Sequence, residues 1–272
     1  MTASAPLTIR RHKSKARLYT EKLSESATLD MVYIPSGKFM MGAPETEENS
    51  RDTERPQHHV TVPAFFMGRY PITQAQYEAV MGKNPSQFKD KPDSDRRPVE
   101  NVSWDDANEF CKRLSDRTNR EYQLPSEAQW EYACRAGTTT PFHFGETIST
   151  ELANYNGNYT YANGEKGLYR EETTPVGYFG VANEFGLSDM HGNVWEWCLD
   201  TWHNNYKGAP MDGSARIELN KTSHLLRGGS WINFPRNCRS ACRNNLDRDN
   251  HYYYFGFRVL SHAPGLTFPS AL

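Results

Sequence analysis

The patterned part of the chain opens with a short apolar run, Met31-Val32-Tyr33-Ile34. A turn signal, Pro35-Ser36-Gly37, and a second run, Lys38 to Gly42, follow it. The three read as strand, turn and strand. The acidic stretch Glu45 to Glu54 reads as a solvated loop, after which His59-Val60-Thr61-Val62 and Phe65-Phe66-Met67 resume strand character. Three helices are marked by capping boxes, in which a hydroxyl side chain and a polar residue three positions on satisfy free backbone N–H groups. Thr73 with Gln76 opens a helix to about Met81, Ser103 with Asp106 one to about Leu114, and Ser126 with Gln129 a third. Ala107, Phe110, Cys111 and Leu114 recur at i, i+3, i+4 and i+7 and predict one buried stripe. Trp130, Ala133 and Cys134 turn inward from the third helix, so Cys111 and Cys134 read as core.

Helical periodicity ends at Arg135. The roughly 120 residues that follow are rich in Gly, Asn, Tyr and Trp. So much irregular chain needs internal staples, either metal ions or buried hydrogen-bond networks. Residues 1–28 read as a basic, weakly structured lead-in, and residues 29–272 as one domain without a linker.

Composition narrows the function classes. A net charge of −2 with 24% charged residues gives no electrostatic pull toward nucleic acid or anionic membrane. No apolar run suits a signal peptide or approaches the roughly 18–20 residues that span a bilayer. Five cysteines, an odd number without metal spacing, point to reduced thiols and a cytoplasmic setting. His58 and His59, adjacent in a strand, point apart and make a poor metal pair.

Seven blocks occur in order: Met31 to Gly42, Pro71 to Tyr77, Pro98 to Trp104, Leu124 to Ala133, Gly192-Asn193-Val194-Trp195-Glu196-Trp197, Arg227-Gly228-Gly229-Ser230-Trp231 and Gly256-Phe257-Arg258-Val259. Together they resemble the formylglycine-generating enzyme, or sulfatase-modifying factor, family over residues 30–260. The resemblance implies an α+β, C-type-lectin-like fold with much irregular structure. Family members that oxidise a substrate cysteine carry two cysteines after Gly-Gly-Ser, and their thiolates hold copper(I). Here Asn233 stands at the first of those positions and a cysteine follows only at Cys238. The iron motif of the related sulfoxide synthases is missing as well. Neither copper nor iron is expected, and no catalytic residue is assigned.

Within the family, the segment from Leu226 to Val259 resembles the variable region of proteins diversified by bacterial retroelements. Frame residues include Arg227 to Trp231, Pro235, Asn237 to Ala241, Arg243, Arg248 to Asn250 and Gly256 to Val259. Between them stand Ile232, Asn233, Phe234, Cys242, Asn244, Asn245, Leu246, Asp247, His251, Tyr252, Tyr253 and Tyr254. In such systems template adenines are randomised, mainly in AAY asparagine codons. Those codons can become Ile, Phe, Cys, Leu, Asp, His or Tyr, but not Lys, Glu, Gln, Met or Trp. The latter five make up about a fifth of the chain, against typical usage of similar order, yet none occurs between Ile232 and Phe255. Tyrosine is a large amphipathic contact with few rotatable bonds, as in antibody paratopes. Residues 232–255 are therefore read as a non-catalytic binding segment for a macromolecular ligand, in first place a protein, on a monomeric chain. The alternatives are a silent structural paralogue, with the tyrosines in a core strand, and an oxidase with unorthodox residues.

The family also carries structural calcium. The resemblance places one such site on Asp189, Gly192, Val194 and Glu196, which offer carboxylate and backbone oxygens suited to that ion. A second family site begins well at Asn154-Tyr155 but meets Lys166 where an Asp belongs.

Overall fold

The computed structural model describes residues 9–262 apart from residue 11. Residues 1–8, 11 and 263–272, parts of the expected lead-in and domain, lie outside the described residues. A five-stranded antiparallel sheet divides the core. Its order is β1 (Leu18–Lys22), β2 (Thr28–Ile34), β5 (Phe65–Gly68), β11 (Leu260–His262) and β6 (Tyr122–Gln123). Val32 lies opposite Met67, and Met67 opposite Leu260. Successive strand residues face opposite sides. Leu29 and Met31 accordingly join one apolar cluster, while Val32 and Ile34 join another. A sheet covered on both faces explains the unbroken apolar runs that mark β2 and β5 in the sequence. β1 pairs with β2 along its whole length, which carries the sheet into the segment read as a lead-in.

The capping boxes form as expected, with both arms made at Thr73, Ser103 and Ser126. They open α1 (Gln74–Met81), α2 (Trp104–Thr118) and α3 (Glu127–Arg135). The helix α2 runs a turn beyond Leu114 and stops at Asn119, whose left-handed backbone ends it. Its expected stripe is buried, and Phe110 stacks on Tyr77 of α1 with centroids 5.6 Å apart. Such a pair contributes about 0.5–1.5 kcal/mol beyond the area it buries. All nine residues of α3 are buried, including Glu127, Glu131 and Arg135, which apolar periodicity does not anticipate.

A second sheet has the order β10 (Phe255–Gly256), β7 (Trp195–Thr201), β8 (Ser223–Arg227) and β9 (Arg243–Asp247). β10 runs parallel to β7 and the other pairs are antiparallel. A two-stranded ribbon, β3 (Gly37–Met41) with β4 (His58–Val62), completes the strands. Between α3 and β7 the chain makes turns and one isolated bridge. Hydrogen-bond staples hold this stretch. Asn183 donates to the Ala133 carbonyl at 2.6 Å and accepts from the Phe185 and Leu187 amides. Asn193 bonds both backbone groups of Thr174. All five cysteines are buried and unpaired.

Candidate functional site

The C-terminal frame owes its rigidity to arginine. Arg227, Arg239, Arg243 and Arg258 are each no more than 2% exposed. Glu127 of α3 accepts from Arg227 at 2.9 Å, from Arg243 at 2.6 and 2.9 Å, and from the Tyr206 hydroxyl at 2.9 Å. Glu131 accepts from Arg227 at 2.6 Å and Arg135 at 2.8 Å. Burial alone would raise the Glu131 carboxyl, but those two guanidiniums outweigh it and hold it below the ordinary carboxylate range. The arginines also fix backbone: Arg227 donates to the Ser240 and Ala241 carbonyls, and Arg243 to those of Thr53 and His203. The Glu45 to Glu54 stretch departs from a solvated loop at two points. Glu54 is fully buried and forks with Arg239 at 2.7 and 2.9 Å, and Glu47 pairs with the same arginine.

Most of the positions between these arginines reach the surface. Tyr252 and Tyr253 are 39% and 40% exposed, and His251 beside them and Asp247 at the end of β9 are exposed too. Ile232, Asn233 and Phe234 form a half-buried turn. Asn233 accepts from the Ser230 hydroxyl, and the Phe234 ring lies 4.1 Å from that of Tyr159. The indole of Trp231 links this turn to the tyrosines. It lies 5.8 Å from the Tyr253 ring and donates to the Tyr253 carbonyl at 3.4 Å. His251 meets Asp106 at 3.1 Å, at the start of α2.

Three expectations need correction. Cys242 is 1% exposed, and burial pushes its thiol up, so it belongs to the core instead of the exposed face. Tyr254 packs on the apolar cluster beneath it, unlike its two predecessors. Strand alternation divides β9: Arg243, Asn245 and Asp247 share one face, whereas Asn244 and Leu246 share the other. Leu246 packs against the core, while Asn245 accepts from Ser223 at 2.8 Å. The positions thus form a main face around Trp231 and the tyrosines, with Asn245 and Asp247 beside a separate cleft. Phe88, Tyr159 and Tyr169 also border the main face. Only their being rings in polar, turn-rich segments hints at this in the sequence.

Both carboxylates of the expected calcium quartet have protein hydrogen-bond partners. Glu196 accepts from Arg258 on both oxygens, at 2.6 and 2.7 Å, and from the Trp130 indole at 2.8 Å. Asp189 accepts from the Gly177 amide at 2.7 Å, and burial pushes its carboxyl up to about 6. The Arg258 guanidinium therefore lies against Glu196, and the Glu196 carboxylate adds to the upward shift of Asp189. Among the described residues no three His, Cys, Asp or Glu converge as metal ligands.

Residues 17–263 match the sulfatase-modifying factor enzyme 1-like domain. The chain belongs to this family. Among family relatives, the mouse formylglycine-generating enzyme is 29% identical over 88% of this chain and 77% of its own length. The serine/threonine-protein kinase pkn1 of Chlamydia caviae is 30% identical, and the match spans 37% of its length. The structure of PvdO from Pseudomonas aeruginosa superposes with a TM-score of 0.77 at 33% identity, covering 93% of this chain and all of PvdO. Treponema denticola variable protein 1 gives 0.76 at 25% identity, covering 92% of this chain and all of that one. The fold is α+β and C-type-lectin-like, with few helices and curled sheets. No helix among the described residues is long and apolar enough to cross a membrane.

Proposed function

We infer that this family member is a non-catalytic binding protein that presents its retroelement-diversified positions to a macromolecular ligand, in first place a protein. The observation that carries this reading is the segregation along residues 227–258. The buried arginines are conformationally locked, while Ile232, Phe234, His251, Tyr252 and Tyr253 reach solvent between them. A frame held from below lets surface side chains vary without disturbing the fold, and its rigidity lowers the ordering cost of binding. The likeness to a solved variable protein supports the same reading.

The oxidase alternative draws on the formylglycine-generating relatives and on Cys238, which keeps the second cysteine position. Against it, Asn233 replaces the partner thiol, and burial raises the Cys238 thiol far from the thiolate that binds copper(I). The deciding experiment pairs two measurements. The first is pull-down from native lysate by the wild type and by a Tyr252→Ala, Tyr253→Ala double variant. The second is a copper-supplemented turnover assay on a cysteine-containing sulfatase peptide. Ligand capture that disappears in the variant, with no turnover, is the expected result. Turnover that depends on Cys238 would overturn the reading.

A further inference from the structure

Ser223 of β8, whose hydroxyl donates to Asn245 of β9, lies at a cleft of about 310 Å³. Trp202, His203, Asn204, Asn205, Arg216, Lys221 and Ser223 line it. Its hydrogen-bond groups divide by type. The acceptors are largely committed inside the protein: the Asn204 oxygen takes the Trp202 indole N–H at 2.8 Å, and the Asn205 oxygen takes the Lys207 amide at 2.9 Å. Glu218 at the rim is held by His203 at 2.6 Å and Lys221 at 3.0 Å. The donors are left over. Neither the Asn204 nor the Asn205 side-chain NH₂ has a protein partner among the described residues, and one Lys221 proton remains after its bonds to Trp202 and Glu218. Arg216 anchors Nη1 on the Lys207 carbonyl at 3.0 Å, which frees the Nε and Nη2 edge of its guanidinium. That edge is the two-pronged fork that matches a planar carboxylate.

We propose that this cleft is a subsite for a carboxylate, supplied by an acidic side chain of the protein ligand. The assignment rests on the ligand-binding reading above and names a chemistry for one part of the ligand. Charge supports it, since Arg216 and Lys221 are in the lining and no carboxylate is, while Glu218 nearby is paired with His203 and Lys221 and Asp247 accepts from the Thr222 hydroxyl at 3.0 Å. Location supports it too: Ser223 in the lining donates to Asn245, so a substitutable position borders the fixed donors.

The test follows the Trp202 indole and the Asn204 and Asn205 amide signals by NMR of the ¹⁵N-labelled full chain. The probes are a blocked tetrapeptide with two glutamates, its glutamine counterpart, and inorganic phosphate. The glutamate peptide should produce saturable shifts and the glutamine peptide at least tenfold weaker ones. Lys221→Met and Arg216→Met should each weaken the response at least fivefold, and Asp247→Asn should strengthen it. The Tyr252→Ala, Tyr253→Ala variant should leave it unchanged, so loss of the main face and loss of the cleft are read separately. Equal response to both peptides, tighter binding of phosphate, or an unaltered Lys221→Met response overturns the proposal. Lys221 is partly exposed, so its variant remains informative even if Arg216→Met fails to fold.

Discussion

Individual buried charges are this fold's most consequential residues. Arg239 neutralises Glu47 and Glu54 where water does not reach. Arg239→Met removes the cation and strands both carboxylates, an arrangement that costs about 3–5 kcal/mol. In a chain of this size that loss should lower the melting temperature by roughly 10 °C in a thermal scan. Glu100 presents the opposite case. It is fully buried, one oxygen accepts from the Phe88 amide at 2.9 Å, and the other has no hydrogen-bond partner among the described residues. Burial pushes its carboxyl up to about 7. The folded protein therefore holds this proton more tightly than the unfolded chain, whose carboxyl titrates near 4.3. The stability is complete below that value and declines as pH rises toward 7. Glu100→Gln should thus stabilise the protein at pH 8, on the order of 2 kcal/mol, and have little effect at pH 4. Urea denaturation at the two pH values measures the difference, and equal effects at both would remove Glu100 as the source.

The elements were unevenly legible before the structure. Helices α1, α2 and α3 begin where their capping boxes place them, because a cap depends on residues three positions apart. The short strand β9 and the turn at residues 251–254 carry no comparable local signal, and the expected binding positions there could not be sorted into inward and outward by spacing alone. That sorting has a direct test. Tyr252→Ala and Tyr253→Ala should each shift the melting temperature by less than roughly 2 °C, as surface changes do. Tyr254→Ala removes a ring that packs on the core and should cost about 1–3 kcal/mol. Equal losses at all three would mean that the segment forms a core strand.

Across the whole molecule, the family fold was readable from ordered sequence blocks, but what holds it together was not. Arg239 reaches Glu54 across 185 positions, and Arg227 reaches Glu131 across 96. No local pattern announces such pairs. The calcium expectation was likewise drawn from local spacing, whereas Glu196 is also bound by Arg258, 62 positions away. Excess EGTA should therefore leave the melting temperature unchanged, whereas a fall that calcium reverses would restore an ion to that site. The position of β11 has one more consequence. This late strand lies between β5 and β6, with partners on both sides. During synthesis the first sheet stays open until Leu260 leaves the ribosome, and its halves can join only then. Ribosome-bound chains halted before that residue should remain protease-sensitive, however early their helices form.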